Sequence, residues 1–257
     1  MRKIFLIILF SQVCLSSFAQ VAHQSKKAEK RKRISSLIKQ EEEGVITYHH
    51  QLIFGGKLIN DGYGGFIEYG LAKSVKKSIL FQLEITERKA AKEEKQANRL
   101  DNSPYIYGKQ NFFYPVKLGV QLQSVLGNKS NKNGVSITAN YGGGLALGLI
   151  RPYLVQVNTG TTFKYVGYNS PDSNLFLNSP AGGPGFNTGW DKLTITPGLY
   201  VKTALRFDYG AYNEVVSALE VGLTGEFYSK KVPIMVRTPA KQFFFSAYAA
   251  IIFGKRR

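Results

Sequence analysis

Hydrophobic and polar residues alternate in short segments over most of the chain, and turn-forming residues separate these segments. In the segment 78–88, for example, Phe81 and Leu83 alternate with Gln82 and Glu84. Successive residues of a β-strand point to opposite faces, so a period of two predicts a strand with one apolar and one polar face. The predicted strands cover residues 45–59, 65–73, 78–88, the region around 116–123, 135–157, 192–208, 214–228 and 242–254.

The connections between the predicted strands alternate in length. The odd-numbered connections cover 60–64, 89–109, 158–190 and 230–241, and they include the three longest. The even-numbered connections are all short and cover 74–77, 127–133 and 209–213. Bacterial outer-membrane barrels combine an even strand number with short periplasmic turns and longer external loops. A soluble β-sandwich has no reason to alternate in this way, so the pattern favours a membrane barrel.

The sequence therefore predicts an all-β fold, an antiparallel transmembrane up-and-down β-barrel of about eight strands. Both termini are expected on the periplasmic side of the outer membrane of a Gram-negative cell. An alternative has ten strands, with the region 158–190 forming the additional hairpin. The first hairpin turn is expected at Asn60–Asp61–Gly62, with a positive φ at its glycine.

The first residues of the chain have the features of a signal peptide. Arg2 and Lys3 precede an apolar run over 4–10, and small residues mark a cleavage site after Ala19. This run is shorter than the roughly 20 residues that a membrane-spanning helix needs. A buried first helix is the alternative. The predicted divisions are a signal peptide at 1–19, a charged periplasmic tether at 20–43 and an outer-membrane β-barrel at 44–257.

The position of the single cysteine limits the kinds of site that the mature protein is expected to have. Cys14 is the only cysteine and lies inside the predicted signal peptide. Val13 stands where a lipoprotein has a small residue, so lipid attachment at this cysteine is not expected. The mature chain then has no thiol, which excludes disulfides, thiolate metal sites and cysteine catalysis.

Composition and charge indicate the surroundings of the protein. The chain has 26 Gly, 15 Tyr and 17 Phe, an enrichment that fits a barrel with aromatic rims. Its formal net charge is +17, but an exported protein rarely meets nucleic acid. We therefore expect outer-membrane lipids and lipopolysaccharide as partners, with other outer-membrane or periplasmic proteins as further candidates.

The polar faces of the predicted strands carry balanced charges. The residues expected to point inward and form a charge network are Lys57, Glu68, Glu84, Lys117, Lys202, Arg206, Glu220 and Glu226. The interior of an eight-stranded barrel is just wide enough to be filled by side chains, and charges buried there have to pair. The sequence therefore predicts an ion-pair network that plugs the barrel. A proton path or a gated pore is the alternative.

Residues suited to catalysis are scarce. His23 lies in the predicted tether, and His49 and His50 lie at the periplasmic start of the first strand. A near-neutral base is what a barrel enzyme needs to activate a nucleophile or water. The histidines also lack metal-ligand spacing, and no calcium-binding loop is present in the sequence. We therefore predict no catalytic residue, no metal and no cofactor, with a lipid-modifying enzyme using His49 or His50 as the least favoured alternative.

Two clusters of glycines, at 142–144 and at 55–56, do not match the spacing of a phosphate-binding loop. In strands, glycine more often marks a bend, a bulge or space for a large neighbour. We interpret both clusters as structural.

Several short motifs resemble those of a known family. They are FAQ at 18–20, DGYG at 61–64, YGKQN at 107–111, NKNGV at 131–135, LRFDYG at 205–210 and IFGKRR at 252–257. The mature sequence resembles a family of small OmpA/OmpX-like outer-membrane β-barrel proteins of the Bacteroidota. The resemblance implies the fold and the location, and it implies no catalytic residue. The charged interior, the lack of a catalytic set and the basic segments expected on the periplasmic side favour a non-enzymatic anchor or accessory subunit of an outer-membrane assembly. These basic segments are the tether, Lys73, Lys76, Lys77 and residues 255–257. A narrow channel or a carrier for a small hydrophobic ligand is the alternative.

Overall fold

A computed structural model describes residues 48–96, 104–129, 134–158, 160, 162–171, 173–178, 180–210 and 214–257. The predicted signal peptide and tether lie outside these residues. No α-helix in the described part of the chain is long and apolar enough to cross a membrane.

Long antiparallel strands dominate the structure. The strands are β1 (His50–Ile59), β2 (Gly62–Ser74), β3 (Lys77–Arg88), β4 (Lys95–Gln96), β5 (Tyr105–Ile106), β6 (Asn111–Gly127), β7 (Ser136–Pro152), β8 (Leu154–Asn158), β9 (Phe163–Gly167), β10 (Thr194–Asp208), β11 (Val215–Val232) and β12 (Lys241–Arg256). A short helix, α1 (Ser173–Asn178), and a 3-10 turn at Trp190–Lys192 complete the elements.

Eight of these strands close into one barrel. Their order around the ring is β1-β12-β11-β10-β7-β6-β3-β2, and every neighbouring pair is antiparallel. The predicted eight-stranded antiparallel barrel is thereby confirmed. The ten-stranded alternative is wrong, because β8 and β9 pair only with each other and β4 pairs only with β5.

The barrel turns an apolar face outward. In β12, Phe243, Phe245, Ile251 and Phe253 point outward with about half of each side chain exposed, whereas Ile252 is fully buried inside. The same alternation runs through the other long strands. Exposed apolar residues on every wall would be unfavourable in water, but they suit contact with lipid chains.

The predicted fifth and seventh strands differ from the structure on the side of the long connections. The predicted fifth strand, 135–157, divides into β7 and β8 at Tyr153. Pro152 has no backbone N–H to continue the ladder, and the N–H of Tyr153 donates instead to the carbonyl of Gln110. The predicted seventh strand ends too early, because β11 continues to Val232, and the strand therefore includes Lys230 and Lys231.

The first hairpin turn lies at Asn60–Asp61, as expected, but Gly62 does not have the predicted positive φ. A side chain does not fit at this position, because a Cβ on residue 62 would lie 1.9 Å from the carbonyl oxygen of Glu87 on β3. The close approach of two strands therefore explains this glycine better than turn geometry does.

The two ends of the barrel differ. At one end, called the terminal end, β1 begins beside the end of β12, and the N–H of Arg257 donates to the carbonyl of His50. At the opposite end, called the loop end, the long connections fold into a cap with its own apolar cluster. The buried members of that cluster are Tyr153, Val155, Val157, Val166 and Phe176.

Candidate functional site

The charged interior of the barrel begins below a layer of apolar side chains at the loop end. Phe113, Tyr228 and Phe244 pack there with ring centroids 5.2 to 5.9 Å apart, and all three are buried. Ile150 and Val232 belong to the same cluster. These residues fill the cross-section of the barrel just under the cap.

Two lysines and two glutamates form the part of the interior network nearest to this layer. Glu84 accepts from Lys57 at 2.9 Å and lies 2.6 Å from Nζ of Lys117. Lys117 also contacts Glu226 at 2.7 Å. All four side chains are buried, so each charge depends on the others.

A second group lies deeper in the barrel. Arg206 lies 2.6 Å from both Glu68 and Glu220, and Lys202 lies 3.0 Å from Glu220 and 3.8 Å from Glu68. The hydroxyl of Tyr248 donates to Glu220 at 2.7 Å. Two bases therefore share two acids, an arrangement that gives each carboxylate several partners at once.

Gln82 joins the two groups. Its side-chain nitrogen donates to Glu84 at 3.2 Å, and its oxygen accepts from Lys202 at 3.3 Å. Gln121 also donates to this oxygen. The structure thus brings all eight residues of the predicted network inside the barrel, each in contact with at least one opposite charge.

One pair of this network was not singled out from the sequence. Arg88 contacts Glu226 at 2.7 Å and also pairs with Asp61 of the first hairpin turn. Arg88 follows the inward alternation of β3, but it is the last residue of that strand, where periodicity alone does not fix the direction of a side chain. With this pair, the network contains five bases and five acids.

A separate polar cluster lies at the terminal end. Arg256 contacts Asp208 at 2.5 Å and donates to Gln51 at 3.3 Å. The buried apolar side chains of Ile53 and Ile252 occupy the interior between this cluster and the central network. Among the described residues, no side-chain hydrogen bond or ion pair joins the two.

Glycines make room for the large side chains of the interior. Gly119 of β6 and Gly144 of β7 are register partners, and Tyr200 of β10 is paired with Gly144. A Cβ on Gly119 would lie 2.4 Å from the Tyr200 hydroxyl oxygen, and one on Gly144 would lie 2.2 Å from the carbonyl oxygen of Leu118. Gly119 therefore makes room for the Tyr200 side chain, whereas the glycines at 142–144 allow the backbones of β6 and β10 to lie close to β7.

The two histidines considered for catalysis lie at the terminal end. His49 and His50 are both exposed, and their backbone N–H groups donate to the carbonyl of Arg257 at 2.8 and 2.9 Å. They lie at the end of the barrel opposite to the cap. Across the described part of the chain, no three His, Cys, Asp or Glu residues cluster closely enough to hold a metal ion.

An aromatic group covers the outer wall at the loop end. Arg151 is buried against the rings of Phe112 and Trp190, with its guanidinium carbon 4.1 and 4.8 Å from their centroids. Trp190 stacks on Tyr114 at 5.8 Å, and Phe186 beside it is 76% exposed. Aromatic side chains that are apolar at one end and polar at the other are typical of the interface between lipid and water.

This group gives a measurable prediction, because Trp190 is the only tryptophan of the chain. In lipid bilayers, bromines placed near the headgroups should quench its fluorescence more strongly than bromines at the chain ends. Substitution of Tyr114 by Ala, which removes the stacked ring, should shift the emission to the red. Stronger quenching by chain-end bromines would contradict an interfacial position.

The chain has only weak similarity to the known proteins with which it can be compared. No protein-family model and no curated protein matches the chain. Among solved structures, it is similar to Neisserial surface protein A, with 11% identity, a TM-score of 0.38, and coverage of 81% of this chain and 96% of that one. The N-terminal β-barrel domain of Pseudomonas aeruginosa OprF has 10% identity and a TM-score of 0.35, with coverage of 80% and 98%. Ail, the attachment invasion locus protein of Yersinia pestis, solved with the heparin analogue sucrose octasulfate, has 8% identity and a TM-score of 0.37, with coverage of 82% and 100%.

These similarities are too weak to transfer a function, so the barrel described above rests on its own strand pairing. The resemblance to the Bacteroidota family stays a prediction.

Proposed function

We propose that this chain is a non-enzymatic barrel of the outer membrane, with a closed interior, that serves as an anchor or accessory subunit of an outer-membrane assembly. The observation that carries the proposal is the paired interior network, which has equal numbers of acids and bases and whose eight central members are all buried. An ion that entered would have to break several of these contacts at once.

The first test is conductance. The purified protein in planar bilayers should carry no measurable ion current over the usual range of voltages, because the buried bases and acids of the described interior are paired with one another. The variant Phe113→Ala/Phe244→Ala, which opens the apolar layer at the loop end, serves as the comparison. It should remain silent as well, since the ion pairs beneath are intact. Reproducible unitary currents from the unmodified protein would favour the alternative, a narrow channel.

The second test concerns the assembly. The terminal end carries the exposed bases Lys73, Lys76, Lys77, Lys255 and Arg257. Arg256 is instead buried against Asp208 and is not part of this surface. An acidic surface on a periplasmic or outer-membrane partner would complement these bases.

Affinity purification from native outer membranes in mild detergent, with quantitative mass spectrometry, should recover a partner in fixed stoichiometry. The variant Lys73→Glu/Lys76→Glu/Lys77→Glu should lose that partner. Lys95→Glu/Lys230→Glu/Lys231→Glu, which changes three exposed lysines at the opposite end, should retain it. Recovery of the barrel alone from unmodified cells would count against an accessory role.

A further inference from the structure

A cavity of about 410 Å³ lies at the loop end, between the first hairpin turn, the start of the β3–β4 connection, the β11–β12 connection and the first residues of β12. We call it the rim cavity. Its charged wall consists of Lys89, Lys92, Arg237 and Lys241, and its apolar wall includes Phe243 and Phe245. Four cations and a pair of phenylalanines therefore face the same space.

Most of these positive charges have no carboxylate partner. Lys92, Arg237 and Lys241 are exposed, and none of them forms an ion pair with the residues that the structure describes. Lys89 lies over the ring of Tyr63, with Nζ 4.7 Å from the centroid. The cavity is thus a site of concentrated positive charge.

The carboxylate that lines the cavity, and one of those beside it, are engaged elsewhere. Asp61, which lines it, pairs with Arg88 and accepts from Ser246. Glu93 contacts Lys109 at 2.6 Å. Burial lowers the pKa of Lys109, and Glu93 opposes this by stabilising the charged amine. These acids do not cancel the charge of the exposed lysines and arginine.

The apolar wall of the cavity is continuous with the outer face of the barrel. Phe243 and Phe245 are 58% and 60% exposed and point outward from β12, and Phe227 of β11 is the register partner of Phe243. The cavity therefore opens where the charged rim meets the surface that faces lipid. A ligand that fits both walls has an anionic head and an apolar tail.

We propose that the rim cavity binds the phosphorylated headgroup of a membrane lipid, whose acyl chains lie along the outer face of β12. Lysine and arginine form short, charge-assisted hydrogen bonds with phosphate oxygens, and Phe243 and Phe245 pack against the first methylenes of the chains. This inference rests on the proposed membrane location of the barrel. A membrane lipid, and not free phosphate, is the expected ligand because the cavity has an apolar wall on the lipid side.

The test uses the full mature chain in a zwitterionic detergent and lipid A as the probe. Binding is followed by native mass spectrometry and by titration. The site variant is Lys92→Gln/Arg237→Gln/Lys241→Gln. The matched control is Lys95→Gln/Lys230→Gln/Lys231→Gln, which removes the same charge from exposed residues at the same end of the barrel that do not line the cavity.

The site variant should bind lipid A about tenfold more weakly, and the control should change affinity by less than about threefold, since each base near an anionic lipid contributes only modestly. Dephosphorylated lipid A, which keeps the acyl chains, should bind the unmodified protein as weakly as lipid A binds the site variant. Inorganic phosphate should not displace the lipid at millimolar concentration.

Equal weakening by both triple variants would overturn the proposal in favour of diffuse surface charge. Displacement by inorganic phosphate would overturn it in favour of a free-anion site. The single change Arg237→Gln, in the loop outside the strands, serves if the triple variant does not fold. Folding is checked by the shift in gel mobility on heating. A chain that shows this shift but binds no lipid A refutes only the rim cavity, whereas a chain that does not insert into bilayers refutes the proposed membrane location.

Discussion

Substitution of Arg206 by methionine is expected to lower the free energy of unfolding by about 3–5 kcal/mol, the usual cost of breaking a buried ion pair. Arg206 lies 2.6 Å from both Glu68 and Glu220, and its removal leaves two buried carboxylates with fewer partners. Urea titration in detergent, followed by Trp190 fluorescence and by gel mobility, measures the change. Lys73→Met is the control, because it removes a positive charge from an exposed position on β2 and should cost less than about 1 kcal/mol.

A second substitution tests whether the loss of stability comes from the charge of Arg206. The double variant Arg206→Met/Glu68→Gln should recover part of the stability lost in the single variant. Glu68 is then neutral, and Glu220 keeps its contact with Lys202 at 3.0 Å. A double-mutant cycle measures the coupling between the two positions. Simple addition of the two single effects would mean that Arg206 acts through packing rather than through its charge.

Substitution of Gly144 by valine should have the second large effect. The added Cβ would lie 2.2 Å from the carbonyl oxygen of Leu118 and 2.5 Å from Cα of Gly119, both backbone atoms of the neighbouring strand. The strands β6 and β7 would have to separate, at a cost of about 3 kcal/mol, the upper end of the usual range for overpacking. We expect a lower urea midpoint or failure to form the heat-modifiable species.

The barrel provides a matched control for this substitution. Gly56 of β1 has no atom within 4 Å of an added Cβ and lies on the exposed outer face. Gly56→Val should therefore leave stability unchanged or raise it, since valine favours a strand and adds apolar surface on the lipid side. Equal losses at both positions would show that glycine is needed for strand flexibility and not for space.

Much of the barrel could be predicted from the sequence because two environments act on every strand. The outer face contacts lipid and the inner face packs in a polar interior, so alternate positions of a strand need opposite residue types. The period of two therefore predicts whether each side chain points inward or outward. The alternation over 78–88 is enough to place Glu84 inside. The same argument places Lys117 and Arg206, which lie in the middle of their strands.

The features that could not be predicted from the sequence lie at strand ends and in the connections between strands. Arg88 is the last residue of β3, and its partner Asp61 lies in a turn, so no periodic pattern connects them. The β8–β9 hairpin begins inside the predicted fifth strand, where Leu154, Val155 and Val157 continue the apolar pattern, so the pattern does not mark where the chain leaves the barrel wall. Its strands have five residues each, and they pair with each other instead of with the barrel wall.

The rim cavity could not be found from the sequence for a related reason. Lys89, Arg237 and Lys241 come from connections and strand ends that lie far apart in the chain. Sequence analysis detects their charge but not their proximity, because proximity follows from the order in which the strands close.

The pairing of β1 with β12 has a consequence for how the protein reaches its final form. The ring is complete only when Gln51 meets Arg256, so β12 has to join β1 although the other strands of the barrel lie between them in the sequence. Until that step, each of the two strands has an edge of unpaired backbone donors and acceptors. Lipid hydrocarbon cannot form hydrogen bonds with this edge, whereas a strand of another chain can pair with it and cause aggregation. Contacts between residues so distant in sequence also form slowly. Assembly therefore requires that the edges of β1 and β12 be shielded until they pair. A circular permutant that links the start of β1 to the end of β12 and opens the chain at the β2–β3 turn would move the unpaired edges to another position on the ring.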